Sequence, residues 1–288
     1  MNDFALETRL TNESPDLHQR VADSVVVLQR MLDSFISWFP QFTDHSSLHS
    51  MDVLDYCNQL LGDQVKLLSI PECYALIMAS YLHDVGMGVT RENFETFTKE
   101  IRFEDYKSKH PDATDASIIR DFHNEYSGLF IRKYAEMFDI PSEELIFTII
   151  QLSRGHRKTD LYDEKEYPTI RTPDGVIRTA YLSAVIRLAD EIDVGADRNP
   201  ELLFDTSHLT AQASIDAFGT HESIRTVEVT EKEIILHVKP KEPKYIKLIE
   251  ELAQKIQSTL DYCRDVAEKR SDLRITQEEV VVKQIQDE

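Results

Sequence analysis

Ten histidines are spread through this chain, and several fall where a histidine is costly. His49 shares a helical face with Val53, Tyr56, Cys57 and Leu60, a pattern that points inward. His123 sits in the same way with Ile119, Tyr126, Phe130 and Tyr134, and His156 continues the stripe of Leu145, Ile149 and Leu152 just beyond its helix. His83 and Asp84 close the apolar run "ASYLHDVGMG", and Asp190 closes "VIRLAD". One such group alone is ordinarily a core residue bonded to a carbonyl, or a solvated helix end. Together they are imidazoles and carboxylates on five different predicted helices, each expensive to bury without a partner. A shared divalent cation removes that cost by satisfying several at once. Adjacent residues diverge by ~100° around a helix, so His83 and Asp84 reach one centre most readily where their helix ends. Gly86 and Gly88 permit that ending.

The elements that must position these groups are mainly helical as far as about residue 195. Ser14 and Pro15 start a helix running toward Pro40. A second ends at Gly62, Pro71 opens a third, and a polar helix follows from about Arg91 to Lys109. "ASIIRDFHNEYSGLFIRKYAEMF" is a long helix, and Pro141 opens another that ends near Gly155. "RKTDLYDEKEYPTIRTPDG" has no helical period and reads as a surface loop over a site. "VIRTAYLSAVIRLADEID" closes the helical block. Beyond Asn199, "IRTVEVT" and "EIILHVK" alternate with period two and predict a hairpin, though their turn "TEKE" lacks glycine. Tyr245, Leu248, Leu252, Ile256, Leu260 and Cys263 form a helical stripe, and "EEVVVKQI" reads as a final strand. The expected fold is mainly α. It comprises a helical domain over residues 1–200 and a small α+β appendage, hairpin plus long helix, over 201–288.

Bulk properties exclude several functions. A net charge of −20 argues against wrapping long DNA or RNA, which needs excess Lys and Arg. It leaves room for a small phosphorylated substrate held by local cations. No run approaches the ~20 apolar residues of a membrane span. "MNDFALETRL" has no apolar signal-peptide core, so a cytoplasmic protein is expected. Cys57, Cys73 and Cys263 are too widely spaced for a zinc knuckle or redox pair and read as reduced, buried thiols.

With the dyad and its flanking histidines in this order, the chain resembles the HD superfamily of metal-dependent phosphohydrolases. The matching residues are His49 in "HSMDV", His83 and Asp84 in "LHDVG", and Asp190 in "RLADEID", with His123 in "FHNEYSG" and His156 in "SRGHRK" at the places of two further ligands. The likeness spans roughly residues 40 to 200. It implies an HD-type helical bundle in which His49, His83, Asp84 and Asp190 hold one metal. His123 and His156 hold a second, with Asp84 bridging. Val85, Gly86 and Met87 follow the dyad, unlike the Glu-Asp pair of alarmone hydrolases. A histidine- and proline-rich run and a Gly-Tyr-Pro motif, marks of two other branches, are absent. "FTDHSSLHS", "LHDVGM" and the hairpin-plus-helix tail look closer to a bacterial HD branch sometimes coupled to ATPase modules.

The function so implied is hydrolysis of a nucleotide or signalling nucleotide, at a phosphomonoester, anhydride or cyclic phosphodiester, by attack of a water bridging the ions. One or two divalent cations (Mn, Fe, Co, Zn or Mg) suit this ligand set. Asp84 is the expected catalytic carboxylate, and His45, four residues before His49, a proton donor or phosphate ligand. Arg157, Lys158 and Arg198 are candidates to neutralise substrate phosphates, and Arg187 to orient Asp190 or Asp193. Two alternatives stand beside this reading: a di-iron oxygenase using the same cage, and a nucleotide-sensing module whose tail contacts a partner. The stripe from Tyr245 to Cys263 is expected to pack within the chain, with a homo-oligomer as the alternative.

Overall fold

The computed structural model describes residues 4–32, 47–101, 104–196 and 212–285. Its first helices are α1 (Ala5–Glu13), α2 (Pro15–Leu32), α3 (Ser47–Leu61) and α4 (Ile70–Leu82). They are followed by α5 (Arg91–Phe97), α6 (Glu104–Lys109), α7 (Asp115–Tyr134) and α8 (Glu143–Gly155). A hairpin of β1 (Thr169–Thr172) and β2 (Gly175–Arg178) leads into α9 (Thr179–Ile192). After α10 (Gln212–Ser223) come β3 (Ile224–Val229), β4 (Glu233–Val238), α11 (Pro243–Arg270) and β5 (Glu279–Gln284). The chain is mainly α, with two small sheets among the described residues.

Helix α4 is the axis of the bundle. Every residue from Cys73 to Leu82 is buried, so the helix is enclosed on all sides; α1, α2, α3, α8 and α9 pack around it. Its start is fixed by a reciprocal cap. The Ser69 hydroxyl accepts from the Glu72 amide at 3.3 Å, and the Glu72 carboxylate accepts from the Ser69 amide at 2.8 Å. The same buried carboxylate accepts from the Arg178 amide at 2.8 Å and its guanidinium at 2.7 Å. That pairing ties the end of β2, and hence the start of α9, to the start of α4.

The polar helix expected from Arg91 to Lys109 is two pieces, α5 and α6, separated by turns after Phe97. The aperiodic loop after His156 contains β1, and β2 takes up the first three residues of the stretch expected as the last helix, so α9 begins only at Thr179; strands of four residues are too short to declare a period. The expected hairpin is β3–β4, antiparallel from Ile224↔Val238 to Val229↔Ile234. Its glycine-free turn is closed by Thr230, whose hydroxyl accepts from the Glu233 amide at 2.9 Å. Strand β5 adds parallel to β4 after α11 has crossed. The stripe on α11 packs on α9 within the chain, and one continuous apolar cluster runs from Leu6 to Ile275. Among the described residues, no helix is long and apolar enough to cross a membrane.

The tightest approach is at the end of α4. A short 3-10 turn, Val85–Gly88, follows the His83-Asp84 dyad and lies directly against α7. A Cβ at Gly86 would stand 2.2 Å from the His123 carbonyl oxygen and 2.5 Å from the Ser127 amide. Those are backbone atoms that cannot yield cheaply. Gly86→Ala is therefore expected to destabilise the fold by about 2 kcal/mol or more, read as a lowered urea midpoint; an unchanged midpoint would show that the contact is not tight.

Candidate metal centre

Four of the six sequence-predicted ligands, His83, Asp84, His123 and His156, are set by a local break in a helix, whereas His49 and Asp190 lie within α3 and α9. His83 is the C-cap of α4, and Asp84 leaves the helix with φ −102° and ψ 3°. The two side chains thereby escape the angular divergence of neighbours on a helix. His123 follows Phe122, where α7 kinks with φ −120° and ψ 15°. His156 caps α8, and Asp193 caps α9 three residues after Asp190. Ser127, one turn along α7 from His123, donates to the His83 carbonyl at 2.6 Å and accepts from the Gly86 amide at 2.8 Å. It pins the dyad turn to the helix that supplies the third imidazole. At Gly155 a Cβ would stand 2.7 Å from the Ser183 Cβ, so α8 delivers His156 tightly against the Ser183 side chain of α9.

The six residues meet. His49 Nε2 lies 3.1 Å from His83 Nε2, 3.4 Å from Asp84 Oδ2 and 3.3 Å from Asp190 Oδ1. His83 Nε2 lies 3.4 Å from the same Asp84 Oδ2. On the other side, Asp84 Oδ1 is 3.2 Å from His123 Nε2 and 3.5 Å from His156 Nε2, and those two nitrogens are 2.8 Å apart. Two clusters, His49–His83–Asp190 and Asp84–His123–His156, therefore share the Asp84 carboxylate. Five of the six are buried, whereas the Asp190 side chain keeps 21% exposure and marks the open edge.

The remaining ring nitrogens decide the chemistry. The Nδ1 atoms of His83, His123 and His156 face the carbonyls of Ser80, Arg120 and Ser153 at 2.9, 2.6 and 2.5 Å. A carbonyl only accepts, so each Nδ1 carries the proton. His49 Nδ1 donates to Asp193 Oδ2 at 2.5 Å. In the neutral rings all four Nε2 atoms then present lone pairs to one another. At these separations lone pairs repel unless positive charge lies between them. Donors sharing one ion at about 2.1 Å stand roughly 2.9–3.4 Å apart for right-angle to tetrahedral arrangements. Seven of the spacings, at 2.8–3.5 Å, lie close to that range, and the eighth, His83 Nε2 to Asp190 Oδ1, is wider at 3.8 Å. The donor set fits divalent cations.

The electrostatics agree. Burial pushes the His156 pKa well below its ordinary value, helped by His83 and His123 and opposed by Asp190 and Asp84. Burial would raise the pKa of Asp190, but the imidazole of His49 beside its Oδ1, with those of His156 and His83, holds it well below the usual carboxylate range. Neutral imidazole and ionised carboxylate are the forms that ligate metal.

Arg157 and Lys158 are exposed and line a cleft of about 760 Å³ with Phe122, Asn124, Arg132 and Arg154. The cage residues themselves do not line it. His45 and Arg198 lie outside the described residues. Arg187 does not orient Asp190 or Asp193. Its hydrogen bonds go to the Gly155 carbonyl at 2.7 Å and to Thr159 O and Oγ1 at 2.9 and 3.1 Å. Asp193, whose role the sequence reading tied only to Arg187, is the partner of His49. The signal available was its place three residues after Asp190, close to the same helical face.

A family model described as HD-CE matches residues 39–272. The chain belongs to the HD-CE family. The matched span includes all six residues of the HD-CE cage and extends through α11. No curated protein matches the chain.

Two measurements test this site. Asp193→Ala in the HD-CE chain is expected to weaken cobalt or manganese binding by roughly 10- to 100-fold, and unchanged affinity would contradict its role on His49. The second concerns pH. The unfolded His156 gains its proton near the ordinary value of 6.5 and the folded one does not. Below that value the unfolded state binds more protons, so the metal-free protein loses stability as pH falls from 6.5 toward the depressed folded value. Chelator-treated protein is expected to show a lower urea midpoint at about pH 5.5 than at about pH 7.5, with the difference reduced in His156→Asn.

Proposed function

We propose that this HD-CE chain is a metal-dependent phosphohydrolase acting on a nucleotide or signalling nucleotide, at a phosphomonoester, anhydride or cyclic phosphodiester. The observation that carries the reading is the division of one carboxylate between two donor clusters: Asp84 Oδ2 toward His49 and His83, Oδ1 toward His123 and His156. Shared carboxylates of this kind belong to paired-cation sites, and paired cations suit in-line displacement at phosphorus. Divalent ions (Mn, Fe, Co, Zn or Mg) supply, when bound, an acidified water and a clamp on phosphoryl oxygens.

The chain's own residues do the rest. His49, His83 and Asp190 hold one ion and His123 and His156 the other, with Asp84 common to both. Asp193 fixes the His49 ring and its tautomer through Nδ1. The backbone carbonyls of Ser80, Arg120 and Ser153 do the same for the other three rings. Arg157 and Lys158 follow His156 directly in the sequence, line the cleft and neutralise the phosphates of a bound nucleotide. His45 and Arg198 complete the assignment as proton donor and phosphate contact.

Metal analysis of purified protein, followed by phosphate release from a nucleotide panel under anaerobic conditions with Mn²⁺, tests the proposal. Hydrolysis by the wild type is expected, and Asp84→Ala is expected to lose both metal occupancy and turnover. Full activity in Asp84→Ala overturns the assignment. Bound iron with an oxygen-dependent reaction points to the oxygenase alternative, and nucleotide binding without turnover under several metals points to a sensing module.

A further inference from the structure

Arg187 is a buried guanidinium, 8% exposed, that makes no ion pair among the described residues. Burying an arginine without a carboxylate is expensive unless its donors are otherwise satisfied. Here they are spent on the turn that follows α8. Nε donates to the Gly155 carbonyl, immediately before His156, and Nη2 donates to the carbonyl and hydroxyl of Thr159, three residues after it. The planar fork thus spans the turn on which His156 sits and places a cation at the negative end of the α8 dipole. The other face of the guanidinium packs on the Tyr262 ring of α11, 5.0 Å from its centroid. That tyrosine in turn accepts from the Leu161 amide at 2.8 Å. Arg270, also on α11, donates to the Leu161, Tyr162 and Tyr167 carbonyls at 3.0, 2.8 and 2.8 Å, and Tyr162 bonds Asp265. Arg187 stands on α9 one turn before Asp190, which faces the first donor cluster.

We infer that Arg187 is a positioning residue for the second cation site. It locks the His156 turn onto α9, and α11 backs it through Tyr262, so that the two donor clusters keep a fixed spacing. The inference rests on the two-site reading of the cage. It departs from the expectation that this arginine serves Asp190, because none of its hydrogen bonds reaches that side chain.

Cobalt titration followed by visible absorption, with activity left aside, tests it. Wild-type protein is expected to take up two ions. Arg187→Met keeps the bulk of the side chain and removes the fork. It is expected to bind the first ion as the wild type does and the second roughly 10- to 100-fold more weakly. Its one-ion spectrum is expected to match that of His156→Ala and differ from that of His49→Ala. Undiminished uptake of both ions, or equal weakening of both, overturns the positioning role. Fewer than two ions in the wild type overturns the two-site reading and the inference with it. If circular dichroism shows that Arg187→Met does not fold, Tyr262→Leu takes its place, removing only the ring. A loss of roughly three- to tenfold confined to the second ion is expected there, and no selective loss overturns the inference.

Discussion

Four imidazole nitrogens bearing lone pairs cannot be packed face to face in an apolar interior without positive charge between them. That constraint organises this molecule. Each ring has its Nδ1 proton committed elsewhere, to a carbonyl three residues back or to Asp193, and each therefore turns an acceptor inward. A rearrangement that relieved the crowding would have to surrender one of those committed bonds inside a buried region. The donors are thus held in an arrangement that fits divalent cations, and Asp84 turns one carboxylate oxygen to each half.

The scaffold meets the demand by breaking helices where ligands stand. A residue at a helix end has access to carbonyls that the helix no longer uses, and His83 and His156 exploit this as C-caps. His123 obtains the same freedom from the kink at Phe122. A close backbone approach at Gly86 and tight packing of Gly155 on Ser183 then bring the broken ends together, while the enclosed helix α4 supplies rigidity from behind. The glycine after the dyad is required by its neighbour on α7, more than by the ending of its own helix.

Much of this was legible in the residues themselves. The stripe on which His49 lies, the apolar run ending in the dyad, and the stripe carrying His123 all report an inward direction because periodicity encodes which face is buried. The same logic delivered α3, α4, α7, α8, α9 and α11. What periodicity cannot encode is a partner distant in sequence. Asp193 and His49 are 144 residues apart, and Arg187 finds its acceptors on a turn belonging to another helix. Short elements also escaped. The β1–β2 hairpin offers four-residue strands whose alternation is indistinguishable from loop composition, and the break between α5 and α6 carries neither glycine nor proline to announce it. The Thr230 turn shows the opposite case, where a hydroxyl performs the closure for which glycine is the usual sign.

The parallel pairing of β5 with β4 has a bearing on how the molecule is assembled. Two strands running the same way need a long intervening crossover, and here that crossover is the helix that shields α9. On the ribosome, the helical bundle emerges first, with the outer flank of α9 bare until residues beyond Pro243 have been made. Non-local closure of this kind is slow compared with helix docking, so the nascent chain passes through a stage in which the cage helices are gathered but the brace behind Arg187 has not arrived.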